Sequence, residues 1–178
     1  MVIPVPFKIG KRIKNKIMKT VKEIMLSEPK YCSKNESLTN AVKEMSKSKV
    51  GSLPVIDSNK KVVGIITSWD ICTALGKTDK PYNELKVHEV MTPEAHTCTP
   101  EDDANTALRI MRTKKVRRLP VVDKRGEIKG LISLNTIARK FEGTKERAEI
   151  ELDGEENIVR TLRSIYDRKD ERVGVSQN

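Results

Sequence analysis

Apolar residues recur at helical spacing at two places along the chain, at Leu38, Ala41, Val42 and Met45 and again at Ala104, Ala107, Leu108 and Met111. The i, i+3, i+4, i+7 pattern predicts one helix at each place, buried on a single face. Each helix is followed by a short apolar run that ends in an acid, Leu53-Pro54-Val55-Ile56-Asp57 and Leu119-Pro120-Val121-Val122-Asp123. Polar turn residues come next, and then a second run, Val62 to Ile66 or Ile128 to Ile132, which together predict two hairpins. Thr67 and Ser133 open a further helix, Trp69 to Leu75 and Asn135 to Phe141, while a short extended segment around Cys32 or Cys98 precedes each set. The predicted unit is strand-helix-strand-strand-helix, present twice, and the fold class is α+β.

The two sets are copies. At an offset of 66 residues, 16 of the 51 positions from Val21 to Ile71 recur identically between Val87 and Ile137, with no gap. Ordinary composition gives on the order of 3 such matches by chance. A period of this length with matching residues marks one fold unit used twice. Each copy is too small to bury much core alone, so the two are expected to pack as one module. The organisation read from the chain is a basic N-terminal arm (1–20), a first repeat (21–76), a linker (77–86), a second repeat (87–141) and a C-terminal extension (142–178).

Charge changes the picture mainly at the N-terminus. Of a net charge of +10, residues 1–22 supply seven bases and no acid. From Phe7 to Met25 the chain reads as a basic amphipathic helix, with Lys8, Lys11, Arg12, Lys16, Lys19 and Lys22 on one stripe and Ile13, Ile17, Val21 and Ile24 opposite. That stripe fits packing on the module, an anionic membrane surface or nucleic acid. In the extension, Ala148 to Leu152 alternates like a strand, and Ile158, Leu162, Ile165 and Tyr166 line one face of a helix that Asp153 and Glu156 would cap. Cys32, Cys72 and Cys98 lack C-x-x-C spacing and stand among apolar residues, which predicts reduced, buried thiols rather than a metal or disulfide framework. No structural metal is expected. No apolar run approaches the ~20 residues of a membrane span, and a cytoplasmic location is the expectation.

The order helix, L-P-V-[IV]-D, turn, apolar-Gly-apolar-apolar-[ST], helix, present twice, resembles a tandem pair of cystathionine-β-synthase (CBS) domains, a Bateman module, over residues 21 to 141. The resemblance implies two strand-helix-strand-strand-helix copies related by a pseudo-two-fold axis, with two clefts between them that bind adenosine compounds: AMP, ADP or ATP, or S-adenosylmethionine. Thr67-Ser68-Trp69-Asp70 matches the family's [ST]-x-x-D, which implies a ribose reader, with the Asp70 carboxylate accepting from both hydroxyls. Thr67 with Asp70 three residues on also reads as a helix-capping box, and the two roles are compatible. Carried over by position, the Asp70 cleft is completed by His96, Val116, Arg117, Leu119 and Pro120 of the second copy. The basic loop Arg112, Lys114, Lys115, Arg117 and Arg118 favours a phosphorylated ligand, because guanidinium suits bidentate phosphate contact. Copy two holds Ser133-Leu134-Asn135-Thr136, so Thr136 replaces the acid and the second cleft is expected to be weak.

No phosphate loop and no paired nucleophile and base stand out, so no catalytic residue and no required cofactor are expected. The leading function is a regulatory sensor that passes ligand occupancy to an effector protein. The alternative is a nucleic-acid-associated protein that uses the basic arm, with the CBS pair as a dimerisation scaffold. A homodimer is expected, with Ile71, Leu75, Ile137 and Phe141 of the second helices meeting across a two-fold axis.

Overall fold

A computed structural model describes residues 19–142 and 158–165, with the side chains of Phe141 and Glu142 excepted. A single turn, α1 (Val21–Ile24), leads into β1 (Leu26–Ser27). The first repeat then runs β2 (Cys32–Ser33), α2 (Leu38–Ser48), β3 (Ser52–Ile56), β4 (Val62–Thr67) and α3 (Ser68–Leu75). A second turn and strand, α4 (Val87–Val90) and β5 (Thr92–Pro93), precede α5 (Ala104–Lys114), β6 (Arg118–Val122), β7 (Ile128–Ser133) and α6 (Leu134–Glu142). Residues 158–165 form a last helix, α7.

Local chemistry explains the boundaries. Ser37 Oγ accepts from the Asn40 N–H and Asp103 Oδ1 from the Thr106 N–H, so both long helices start on a side-chain cap. Both end on a lysine in the left-handed region, Lys49 at φ 52 and Lys115 at φ 53, which reverses the chain into the next strand. The β3–β4 and β6–β7 hairpins share one register, with Ser52 opposite Thr67 and Arg118 opposite Ser133 and a bulge after Val55 and Val121.

The repeats exchange their leading segments. β1 pairs antiparallel with β7 of the second repeat, and β5 pairs antiparallel with β4 of the first, giving sheets ordered β1-β7-β6 and β2-β3-β4-β5. Val21 and Ile24 therefore sit in the core of the second repeat with Leu108, Met111, Leu119, Ile132 and Ile137. Leu85 and Val87 sit in the core of the first, with Leu38, Leu53, Val55 and Ile66. The crossing is close. A Cβ at Gly64 would lie 2.7 Å from the Thr92 carbonyl oxygen and 2.9 Å from Met91 Sδ, and one at Gly130 would collide with Met25 Sδ. Only glycine lets the partner's leading segment lie flat on each sheet. The hairpin tips also join the repeats: Lys61 bridges Glu127, Val62 N–H donates to the Gly126 carbonyl, and Ile128 N–H donates to that of Lys60.

Several expectations are corrected. The helix expected from Phe7 to Met25 is not continuous, because Thr20 is extended (φ −71, ψ 157) and caps the single turn α1 through Glu23. The part of the arm before Lys19 lies outside the described residues, as do the strand at 148–152, the Asp153–Glu156 cap and Tyr166. Cys32 and Cys98 are buried, but Cys72 is exposed on the outer face of α3. Ile71 and Ile137, expected to need a partner subunit for cover, are 8% and 0% exposed within the single chain. On the second repeat, Ile158, Leu162 and Ile165 of α7 pack against the cluster that contains Ile137, and Ser164 Oγ donates to the Arg112 carbonyl at 3.2 Å.

Candidate functional site

The N-terminus of α3 is closed by a reciprocal cap. Thr67 Oγ1 accepts from the Asp70 N–H at 3.2 Å, and the Thr67 N–H donates back to Asp70 Oδ2 at 2.8 Å. The Thr67 hydroxyl also donates to Oδ2, at 2.7 Å. One carboxylate oxygen is thus committed to holding the helix start. The other, Oδ1, receives only a long 3.4 Å contact from Thr92 Oγ1, on the leading strand of the second repeat. An ionised carboxylate has lone pairs for two donors per oxygen, so Oδ1 keeps acceptor capacity where the repeats meet.

Ser133 and Thr136 repeat the cap without the charge. The Ser133 N–H donates to Thr136 Oγ1 at 2.8 Å, the Thr136 N–H donates to Ser133 Oγ at 3.1 Å, and the Thr136 hydroxyl is spent on the Ser133 carbonyl at 2.8 Å. Only copy one has an anionic acceptor to spare at this position. The carbonyls of Gly51 and Arg117 accept from the first N–H groups of the two helices, Ser68 and Leu134, which ties each loop before an L-P-V strand to the helix that follows.

The CBS domain model matches residues 21–77 and again 87–143. The chain belongs to the CBS domain family. It is 36% identical over 138 residues to an L-aspartate semialdehyde sulfurtransferase of Methanocaldococcus jannaschii, a match covering 75% of this chain but 26% of that enzyme. The CBS pair thus spans about a quarter of the length of that relative. Among solved structures, a CBS domain pair in complex with 5-methylthioadenosine and S-adenosyl-L-methionine is 31% identical, with a TM-score of 0.61 over 68% of this chain and 98% of that one. CBSX2 in complex with AMP is 27% identical, with a TM-score of 0.60 over 68% and 94%. CBSX2 is a CBS-pair protein of Arabidopsis thaliana.

The residues expected to complete the Asp70 cleft fall into three environments. His96 and Arg117 are exposed and Val116 is half-buried, whereas Leu119 and Pro120 are buried in strand β6. Leu119 is a core residue, 0% exposed and packed in the cluster of the second CBS repeat. Within the described residues the hydrogen bonds join Asp70 to Thr67 and Thr92, and do not link it to His96 or Arg117. Of the basic loop, Arg118 is the residue whose side chain joins the two repeats. Its guanidinium reaches across to Ser52 Oγ of the first CBS repeat. Burial, and then the neighbouring Arg117, push its pKa below the ordinary arginine value. The signal was present as the pair Ser52/Arg118 at the 66-residue offset, but contact between equivalent positions is not a sequence property.

A groove of about 580 Å³ opens elsewhere, lined by Glu28, Lys30, Tyr31, Glu44, Lys60 and Lys129 among others. None of the seven expected site residues lines it. Among the described residues no group of His, Cys, Asp and Glu is arranged to hold a metal ion. No described helix is long and apolar enough to cross a membrane.

Proposed function

We propose that this CBS pair is a regulatory sensor for adenosine compounds, taking AMP, ADP, ATP or S-adenosylmethionine in the cleft of Asp70. The observation that carries the reading is the half-used carboxylate of Asp70, with Oδ2 fixed by the cap and Oδ1 open beside the other repeat. Ribose hydroxyls are donors of the right kind for Oδ1, and Thr67 holds the carboxylate in place for them. The ligands named for the similar CBS pairs support the same class. A ligand bridging both repeats favours whichever relative orientation closes the cleft, and that shift of population is what an effector protein would read. Thr136 has no free acceptor charge, so one ligand per chain binds tightly.

The same reading makes the chain a homodimer through the first repeat. On α3, Trp69 and Leu75 are 72% and 49% exposed, and no described segment covers them. On the second repeat, α7 lies on the corresponding cluster.

Calorimetry with adenosine, AMP, ATP and S-adenosylmethionine tests the sensor. Asp70→Ala is expected to weaken binding by roughly 2 to 4 kcal/mol, the worth of two hydrogen bonds to a charged group. Helix stability should fall by about 1 kcal/mol through the lost cap. Trp69, the only tryptophan, adjoins Asp70 and gives a fluorescence readout. Failure of all four compounds to bind overturns the reading.

A further inference from the structure

The helices of the second repeat are charged where those of the first are not. Across α2 and α3 the two bases, Lys43 and Lys47, are matched by two acids, Glu44 and Asp70. Across α5, α6 and α7 there are seven bases and one acid, Glu142. Where the arginines point follows from the core. Arg109 is two positions from the core residues Ala107 and Met111, and Arg139 is two from Ile137. Arg160 and Arg163 are two positions from Leu162 and Ile165, which pack against the same cluster. Two positions turn a helix through ~200°, so all four arginines point away from one shared core, and all four are exposed. The Ser164 hydroxyl on the Arg112 carbonyl holds α7 against α5, so their outward side chains belong to one surface. Lys140 extends that surface toward α1. After the Thr20 cap, Lys19 and Lys140 both help to hold the Glu23 carboxyl below its usual pKa, which places the two lysines beside it. Among the described residues no salt bridge neutralises Arg109, Arg139 or Arg163.

The chemistry of this face selects its occupant. A second copy of the chain is disfavoured, because two such faces would set like charges against each other. A membrane surface or an acidic protein needs apolar anchors beside the charge. The exposed large apolar side chains among the described residues are Leu26, Tyr31, Trp69, Leu75, Tyr82 and Val159, and of these Val159 alone stands on the three helices. Single-stranded nucleic acid is held by bases stacked on aromatic rings, and no described aromatic side chain stands on these helices. A duplex needs neither feature. Its affinity comes from phosphates neutralised by exposed bases, and a guanidinium fork takes two oxygens of one phosphate.

We propose that the helical face of the second repeat, formed by α5, α6 and α7, is a docking surface for double-stranded nucleic acid, contacted through its phosphodiester backbone. Arg109, Arg139, Arg160 and Arg163 are the phosphate contacts. They reach no base edge by design of the face, so binding is independent of sequence. The surface is separate from the Asp70 cleft and does not depend on the adenosine reading. It lies on different helices from Trp69 and Leu75, so a duplex and the proposed dimer contact do not compete.

The test is fluorescence anisotropy of a labelled DNA duplex of mixed sequence, titrated with the full chain at several salt concentrations. Four phosphate contacts predict a slope of roughly −3.6 in log affinity against log salt. Substituting Arg109→Gln, Arg139→Gln and Arg163→Gln together should weaken binding by about tenfold or more and make the slope shallower by about 3. Lys43→Gln with Lys47→Gln, on the neutral α2, should leave affinity within about twofold. Circular dichroism checks that the triple variant folds, and should it not, Arg163→Glu alone takes its place and is expected to weaken binding by about fivefold or more. An affinity untouched by the arginine substitutions but lost with Lys8→Gln, Lys11→Gln, Arg12→Gln and Lys16→Gln would overturn the surface in favour of the N-terminal arm. Binding to phosphatidylserine vesicles and not to the duplex would overturn it in favour of a membrane. No duplex binding at low salt would overturn it outright.

Discussion

Gly64 and Gly130 show what single residues do in this fold. Both are retained between the copies, and each lies under a methionine retained at the same offset, Met91 over Gly64 and Met25 over Gly130. At Gly64 the nearest neighbour is a backbone carbonyl, Thr92 O at 2.7 Å, so Gly64→Ala must displace β5 and is expected to cost about 1 to 3 kcal/mol by thermal denaturation. At Gly130 the collision is with a flexible methionine and the backbone is farther, Leu26 O at 3.2 Å, so Gly130→Ala should cost less. The thiols divide in a comparable way. Burial first, and then Glu36 or Asp102, raises Cys32 and Cys98 to about 12, whereas Cys72 is exposed. One thiol per chain should react rapidly with a disulfide reagent at pH 8, and three in denaturant. Because the folded pKa lies above the unfolded value of 9.0, this contribution to stability is intact below pH 9 and is lost progressively as pH rises toward 12. Three fast thiols in the native chain would contradict the burial.

At the scale of elements, α7 distinguishes the two copies. Position 44 of the first repeat is Glu44, whose carboxylate accepts from Ser48 Oγ at 2.6 Å, whereas its equivalent in the second is Ile110, packed on the core. An apolar α5 offers α7 a seat that a charged α2 does not. Ending the chain after residue 157 removes Ile158, Leu162 and Ile165 from that cluster. A loss of roughly 2 to 5 kcal/mol is expected, from partial burial of three aliphatic side chains at about 1.5 to 3 kcal/mol each when fully buried. Hydrogen exchange should locate it, with protection falling in α5 and α6 and unchanged in α2 and α3. Equal loss in both repeats would show that α7 does not act through the second core.

At the scale of the whole molecule, the segment exchange makes the two repeats one cooperative unit, since each core contains residues of the other's leading turn. A single unfolding transition is the expectation. The outer face of α3 carries the proposed dimer contact: Ser68 to Leu75 contains one charged residue, Asp70, which is engaged in the cap. Two such faces meet across a two-fold axis without like-charge repulsion. Light scattering should give a dimer, and Trp69→Glu should split it by burying an unpaired charge. A monomeric natural chain at micromolar concentration, or a dimer indifferent to that substitution, would place the contact elsewhere.

Much of this protein is local and therefore legible in its residues. Helical spacing set α2 and α5, the L-P-V-[IV]-D runs set the hairpins, Thr67 and Asp70 set the cap of α3, and the 66-residue offset set the pairing of copies. Periodicity reports which face of an element is buried, but not against what. Only the tertiary structure decided that Val21 and Ile24 belong to the second core, that α7 packs on that core, and that Leu119 is buried within it. It also decided that Arg118, not the exposed Arg117, reaches across the module. Each depends on which distant segments pack together, and that is a property of the folded chain that the local pattern of neither copy contains.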